Sequence, residues 1–112
     1  MADDAWHAPY EKLSRETVTL HFAIRSLQEE LEAIDWYRQR ADDCDDAALR
    51  EILLHNMREE MEHAAMILEW LRRNSTDFAG QVKTYLFSEG DITEVEEEAE
   101  AGDGRSDPER HR

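Results

Sequence analysis

Residues 47–73 read AALREILLHNMREEMEHAAMILEWLRR, and apolar side chains recur in them at intervals of three and four. Positions with this spacing share one face of an α-helix. Three polar residues interrupt the face, which comprises Leu49, Ile52, Leu53, Asn56, Glu60, His63, Ile67, Trp70 and Leu71. A carboxylate on such a face needs a partner, because burying an unpaired charge is costly. A bound metal ion is one explanation for Glu60 and His63.

The preceding segment predicts a second long helix. Residues 12–41 contain neither glycine nor proline, and their apolar face comprises Leu20, Ala23, Leu27, Glu30, Leu31, Ile34 and Ala41. Glu30 lies on that face, whereas its neighbours Glu29 and Glu32 project away from it. Residues 42–46 form a turn in which Asp45 or Asp46 caps the next helix. The two helices, residues 12–41 and 47–73, therefore form an antiparallel hairpin.

The rest of the chain is less regular. We expect residues 1–11 to form a flexible arm and residues 12–91 to form the helical domain, including a short third helix over residues 78–87. Residues 92–112 begin with a run of glutamates and predict an acidic tail that is disordered or only weakly helical. The fold class is all-α. A two-helix hairpin cannot enclose a core, so we expect two copies to pair into a four-helix bundle.

Composition narrows the range of partners. The chain has 112 residues, with 28 acidic and 13 basic side chains and a net charge of −15, which argues against nucleic acid. No segment approaches the roughly 18 apolar residues of a membrane span. Cys44 is the single cysteine, so no intrachain disulfide can form, which suits a cytoplasmic protein.

Three side chains selected by these patterns form half of a known ligand set. A di-iron carboxylate bundle uses a Glu from each of two helices and a Glu-x-x-His from each of the other two. Glu30, Glu60 and His63 supply half of that set, and a second copy would supply the other half. Such oxygen and nitrogen ligands suit iron or manganese, with zinc as a further candidate. The Glu-x-x-His spacing alone is not specific, and a core histidine paired with Glu60 is the alternative.

A second pattern lies on the opposite flank of the first helix and comprises Val18, Phe22, Arg25, Glu29, Glu32 and Trp36. It has two interpretations. One is a subunit contact with solvated acids along it. The other is a weaker cation site that feeds the first, with Glu29 and Glu32 as oxygen ligands beside Trp36. Tyr37 lies near the edge of the stripe that carries Glu30.

Two stretches resemble the signature sequences of encapsulated ferritins. They are EELEAIDWY at residues 29–37 and HNMREEMEHA at residues 55–64. The similarity continues through EWLRR at residues 69–73 and TYLF at residues 84–87, and covers residues 12–92. The resemblance implies a ferritin-like bundle formed by dimers, in an open ring that is typically a decamer.

The resemblance also implies an activity. It is that of a ferroxidase, which oxidises Fe(II) to Fe(III) with dioxygen at a di-iron centre in the dimer interface. Glu30, Glu60 and His63 would build that centre with Tyr37 close by, and Glu29, Glu32 and Trp36 would form a metal-uptake site. Manganese, zinc or calcium are alternative occupants of these sites.

Members of this family work inside an encapsulin shell, a protein nanocompartment. They usually carry a C-terminal targeting peptide with small and apolar residues. Residues 100–112 contain no apolar docking segment. The encapsulin shell as a partner, and a place inside a nanocompartment of the cytoplasm, are therefore implied by the resemblance only.

Three rival functions make different demands on the sequence. A non-catalytic acidic oligomer that binds divalent metal structurally predicts tight zinc or calcium binding without oxygen uptake. A di-iron oxygen carrier needs more inward histidines than His63. A rubrerythrin-like peroxidase needs a cysteine cluster for an electron-transfer iron, and Cys44 is alone.

Overall fold

The computed structural model describes residues 5–103, and the regular structure within that range is entirely helical. A 3-10 turn at Tyr10–Lys12 precedes the helices α1 (Arg15–Asp42), α2 (Ala47–Asn74), α3 (Thr76–Tyr85) and α4 (Ile92–Asp103). The predicted all-α fold class is confirmed for these residues. No helix in the described part of the chain is both long and apolar enough to cross a membrane.

Side-chain caps set where three of the helices begin. Ser14 Oγ accepts a hydrogen bond from the Thr17 amide at 3.0 Å, so α1 begins at Arg15, after the predicted start at residue 12. Asp46 Oδ1 accepts from the Leu49 amide at 2.8 Å, which makes Asp46 the cap of α2. Ser75 Oγ likewise accepts from the Phe78 amide at 3.2 Å, and α3 begins before its predicted start.

The helices α1 and α2 form the predicted antiparallel hairpin. Residues 43–46 join them, and next to this turn the Arg50 guanidinium donates a hydrogen bond to the Ala41 carbonyl. Farther from the turn, Glu30 of α1 lies beside Glu60 and His63 of α2. The start of α2 thus contacts the end of α1, and the middle of α2 contacts the middle of α1. The two helices are therefore antiparallel.

The hairpin encloses little apolar surface. The chain forms two compact units, one up to Leu71 and one from Arg72 on. The buried apolar side chains of the described residues all belong to the first unit and comprise Val18, Ala41, Met57, Ala64 and Leu71. Larger side chains stay open to solvent, with Phe22 58% and Met66 61% exposed. So much exposed apolar surface is typical of a protein that associates.

The N-terminal segment differs from the predicted flexible arm. The ring centroids of Trp6 and His21 are 4.3 Å apart, so the segment packs on α1. Tyr10 meets the Trp6 ring edge-on, with 5.1 Å between centroids. Aromatic stacking of this kind holds a segment that has no helical pattern of its own. Residues 1–4 of the predicted arm lie outside the described residues.

The second unit contains a helix where the sequence predicts a tail that is disordered or only weakly helical. Helix α4 packs against α3, and its start is capped by Asp91, whose Oδ1 accepts from the Thr93 amide at 3.1 Å. Four glutamates of this helix, at positions 94, 96, 97 and 98, are exposed, whereas Val95, Ala99 and Glu100 are half-buried. Residues 104–112 of the predicted tail lie outside the described range, and the predicted domain boundaries stay a prediction.

The turn between α3 and α4 contains an unusual backbone conformation. Phe87 has φ 65°, in the left-handed region that bulky residues rarely adopt, and its side chain is fully exposed. Gly90 also has a positive φ, 90°, which costs a glycine nothing because it has no Cβ atom. Burial among the residues that the structure describes therefore does not compensate for the strain at Phe87.

Candidate metal centre

The candidate centre is formed by one side chain from α1 and two from α2. Glu60 and His63 are three residues apart, so they lie on the same face of α2, one turn apart. The antiparallel pairing then brings Glu30, in the middle of α1, against both of them. The structure thus brings together the three residues that the apolar stripes single out.

The three side chains converge on one point. One potential ligand atom from each lies within 4.8 Å of the other two. His63 Nδ1 is 3.2 Å from Glu60 Oε1 and 3.6 Å from Glu30 Oε1. Both carboxylate side chains are 24% exposed, and His63 is 45% exposed. The cluster therefore lies at the surface of a single hairpin, where another molecule can reach it.

Glu30 is the least satisfied member of the cluster. Its Oε1 atom is buried and has no hydrogen-bond partner among the described residues. The pKa of Glu30 is raised, chiefly by its hydrogen bond with Glu60 and to a smaller extent by burial. The same hydrogen bond lowers the pKa of Glu60. The hydrogen bond with Glu60 also raises the pKa of His63.

The geometry fits a small divalent cation. Ligands on opposite sides of such an ion, each at about 2.1 Å, are about 4.2 Å apart. The three ligand atoms here lie within 4.8 Å of one another, which is close to that separation. Two carboxylates balance the charge of one divalent ion, which makes a buried site tolerable. Three protein ligands leave coordination positions open for further ligands.

Comparison with known sequences assigns the chain to a family. The sequence model of the EncFtn-like family matches residues 5–89. The chain belongs to the EncFtn-like family. The similarity to encapsulated ferritins predicted from the two signature stretches is therefore confirmed.

Relatives of this EncFtn-like chain show the same likeness over most of its length. It is 53% identical to a protein from Rhodospirillum rubrum named encapsulated ferritin-like protein, over 92% of this chain and 74% of that one. It is 48% identical to a ferritin-like protein from Thermotoga maritima, over 88% of this chain and 87% of the relative.

A solved structure supports the fold. The crystal structure of a protein from Nitrosomonas europaea superposes with a TM-score of 0.74 at 50% sequence identity. The match covers 78% of this chain and 96% of that one. The all-helical EncFtn-like architecture is therefore shared with a protein of known structure.

The other predicted site residues of this EncFtn-like chain lie outside the cluster. Tyr37 is half-buried, and the Arg40 guanidinium carbon lies 5.5 Å from the centre of its ring. Glu29 and Glu32 are exposed on α1, and Trp36 is 49% exposed. Glu29 forms an ion pair with Arg25 at 3.7 Å. Among the described residues, the group with metal-binding geometry does not include these two acids.

Two features of the site were not found by sequence reasoning. One is Arg50, whose hydrogen bond to the Ala41 carbonyl ties the start of α2 to the end of α1. This contact depends on the geometry of the turn, and no sequence spacing signals it. The other is an apolar groove between α1 and α2, on the face of the hairpin that carries the cluster.

Proposed function

We propose that this chain is a ferroxidase, which oxidises Fe(II) to Fe(III) with dioxygen at a di-iron centre shared by two copies. The observation that carries the proposal is the cluster of Glu30, Glu60 and His63, with ligand atoms within 4.8 Å of one another. Membership of the EncFtn-like family supports the iron-handling role. Iron is the substrate in this reaction, so the site must release it after oxidation.

The incomplete ligand set supports a centre formed across a dimer. One chain offers two carboxylates and one imidazole, which is half of the set found in di-iron bundles. A two-fold axis next to the cluster brings a second Glu30, Glu60 and His63 into place. The exposed apolar side chains of the hairpin, such as Met66, favour the same pairing, because a partner would cover them.

Each residue has a distinct task in this proposal. Glu30 and Glu60 bind and bridge the two ions, and their four carboxylates per dimer neutralise the four positive charges. His63 binds one ion through its ring nitrogen, in the neutral form. Each Fe(II) gives one electron to dioxygen. Carboxylates are hard ligands with flexible geometry, so the Fe(III) product can be displaced, as turnover requires.

Glu29 and Glu32 are proposed as an uptake site for Fe(II), with Trp36 next to them. Both acids are exposed on α1, where hydrated cations can reach them. Glu29 is paired with Arg25 in the metal-free chain, so a cation would take the place of the guanidinium. Tyr37 is proposed to act beside the centre, close enough to influence the bound metal.

The assembly and location belong to the same proposal. A relative named encapsulated ferritin-like protein supports an encapsulin shell as the place of work. We propose the cytoplasm as the compartment that contains this shell. Dimers arranged in an open ring, a decamer, would then deliver Fe(III) into the lumen of the nanocompartment. Oligomerisation through exposed apolar surface fits this arrangement.

The decisive experiment is anaerobic loading with Fe(II) followed by exposure to air, with ferric absorbance recorded over time. Glu60→Ala and His63→Ala each remove a proposed ligand, and both are expected to oxidise iron far more slowly than the parent. Glu59→Ala and Glu62→Ala are matched controls, because both side chains are exposed and lie off the stripe. Equal rates in all four variants and the parent contradict the assignment.

The same experiment distinguishes a ferroxidase from the main alternative, a protein that binds divalent metal only structurally. A three-ligand set of oxygen and nitrogen donors also suits a structural divalent metal. If the chain only binds metal structurally, zinc or calcium binds tightly, and Fe(II) added anaerobically gives no oxygen uptake on exposure to air.

A further inference from the structure

A groove of about 420 Å³ runs between α1 and α2 within the unit that ends at Leu71. Its wall is mostly apolar and includes Phe22, Ala23 and Ser26 of α1, with Met66, Ile67 and Trp70 of α2. None of these residues belongs to the proposed metal ligands or to the proposed uptake site. The groove therefore has no role in the chemistry described so far.

The groove leads to the metal cluster. Ser26 is four residues before Glu30 on α1, and Ile67 is four residues after His63 on α2. Side chains four apart on a helix are neighbours on one face, about 6 Å from each other. One end of the groove is thus a single helical turn from the ligands, and the groove continues away from them along the same face.

The proposed reaction has two substrates, Fe(II) and dioxygen, and the apolar wall of the groove favours the passage of dioxygen. A divalent cation loses its hydration on entering an apolar groove, which is prohibitively costly without carboxylates along the way. Dioxygen carries no charge and makes no strong hydrogen bonds, so it moves readily from water into apolar surroundings. The exposed acids Glu29 and Glu32 suit the cation, and the apolar groove suits the gas.

We propose that this groove is the passage through which dioxygen reaches the metal centre, an inference that rests on the proposed ferroxidase function. In a single hairpin the groove is open to water. A second copy that completes the ligand set would lie across the same face and would close the groove into a tunnel. The space is sufficient, since an apolar cavity of about 150 Å³ already binds xenon or benzene.

Blocking the groove next to the cluster tests the passage. Ser26 is exposed on the groove wall, so Ser26→Phe adds a ring there without disturbing the contacts of the buried residues. We expect kcat/KM for dioxygen to fall by roughly fivefold or more, with unchanged kcat at saturating dioxygen. Fe(II) bound per chain under anaerobic conditions is expected to equal that of the parent.

Two controls isolate the effect of blocking. Ser26→Ala removes the hydroxyl but leaves the groove open, and Ala48→Phe adds the same ring at an exposed position away from it. Both are expected to keep the parent kcat/KM for dioxygen. If Ser26→Phe also keeps it, the passage is refuted.

Xenon gives a readout that needs no activity. Crystals of the parent oligomer exposed to xenon gas are expected to show xenon between Phe22 and Trp70, inside the closed groove. A parent that oxidises no Fe(II) refutes the ferroxidase function itself. An active parent whose groove takes up no xenon refutes only the passage.

Discussion

Replacing Glu30 with glutamine is predicted to change stability in opposite directions without and with metal. Within residues 5–103 the buried Oε1 atom of Glu30 has no hydrogen-bond partner, and Glu60 and burial raise the pKa of the group. The carboxylate is therefore unfavourable in the metal-free fold. Glu30→Gln keeps the shape of the side chain and removes the negative charge next to Glu60. The metal-free variant is expected to be more stable than the parent.

The magnitude follows from the burial and the ligand count. An unsatisfied buried polar group costs about 1–3 kcal/mol. The glutamine amide can donate a hydrogen bond to the Glu60 carboxylate, which a carboxylate cannot do, and the partial exposure of residue 30 favours the low end of that range, a gain of about 1 kcal/mol in the free energy of unfolding. When metal is bound, the variant is expected to be less stable than the parent. An ion at 100 times its dissociation constant stabilises the folded state by about 2.7 kcal/mol, so two ions stabilise a dimer by about 5 kcal/mol. The variant loses two of the six proposed protein ligands of the dimer, and most of this stabilisation with them.

Thermal unfolding with and without cobalt(II), under conditions where no oxidation occurs, measures both effects. The expected result is a higher Tm for metal-free Glu30→Gln than for the metal-free parent, and little further rise on adding cobalt. Glu62→Gln is the matched control, since its side chain is exposed and lies off the stripe. It is expected to keep the parent Tm and the full cobalt shift. A metal-free Glu30→Gln that is less stable than the parent, with an undiminished cobalt shift, would refute the reasoning and favour a purely structural ion pair with His63.

Three further predictions concern pH, metal uptake and backbone strain. The pKa of His63 is raised in the folded chain, so its stabilisation of the metal-free form is present below the unfolded pKa of 6.5 and is lost as pH rises through the folded pKa. Metal affinity is expected to rise over the same interval, because only the neutral ring binds metal; urea denaturation and metal titration across this range check both trends. The double variant Glu29→Ala, Glu32→Ala is expected to slow Fe(II) loading while leaving the number of ions bound at equilibrium unchanged, and stopped-flow loading that matches the parent would exclude an uptake role. Phe87→Asn is expected to raise the free energy of unfolding by about 1 kcal/mol, because asparagine tolerates positive φ better than phenylalanine; a decrease measured by urea denaturation would show that the exposed ring is held by contacts with another copy.

Much of the fold follows from local signals. The hairpin was predictable because its two long helices lack glycine and proline, carry continuous apolar stripes, and meet at a turn with a capping residue, Asp46. The grouping of Glu30, Glu60 and His63 was predictable for the same reason. A polar residue on an apolar stripe stands out, and two stripes that pack must bring such residues together.

Other features depend on contacts that no local pattern records. Trp6 packs on His21, although the surrounding sequence has no helical period. Helix α4 packs against α3, and its Val95 and Ala99 are half-buried, which a count of glutamates does not reveal. The shape of the groove near Ser26 depends on the distance between two helices. In each case the information lies in tertiary packing, which overrides local preference.

The central claim is that the metal centre belongs to two chains rather than one. Native mass spectrometry of protein loaded anaerobically with Fe(II) tests it most directly, because chains and metals are counted in the same ion. We expect two metal ions per dimer unit, and no bound metal on dissociated single chains at the same Fe(II) concentration. His63→Ala is expected to lose the bound metal. A single chain that carries the full complement of iron at the same affinity would contradict the account.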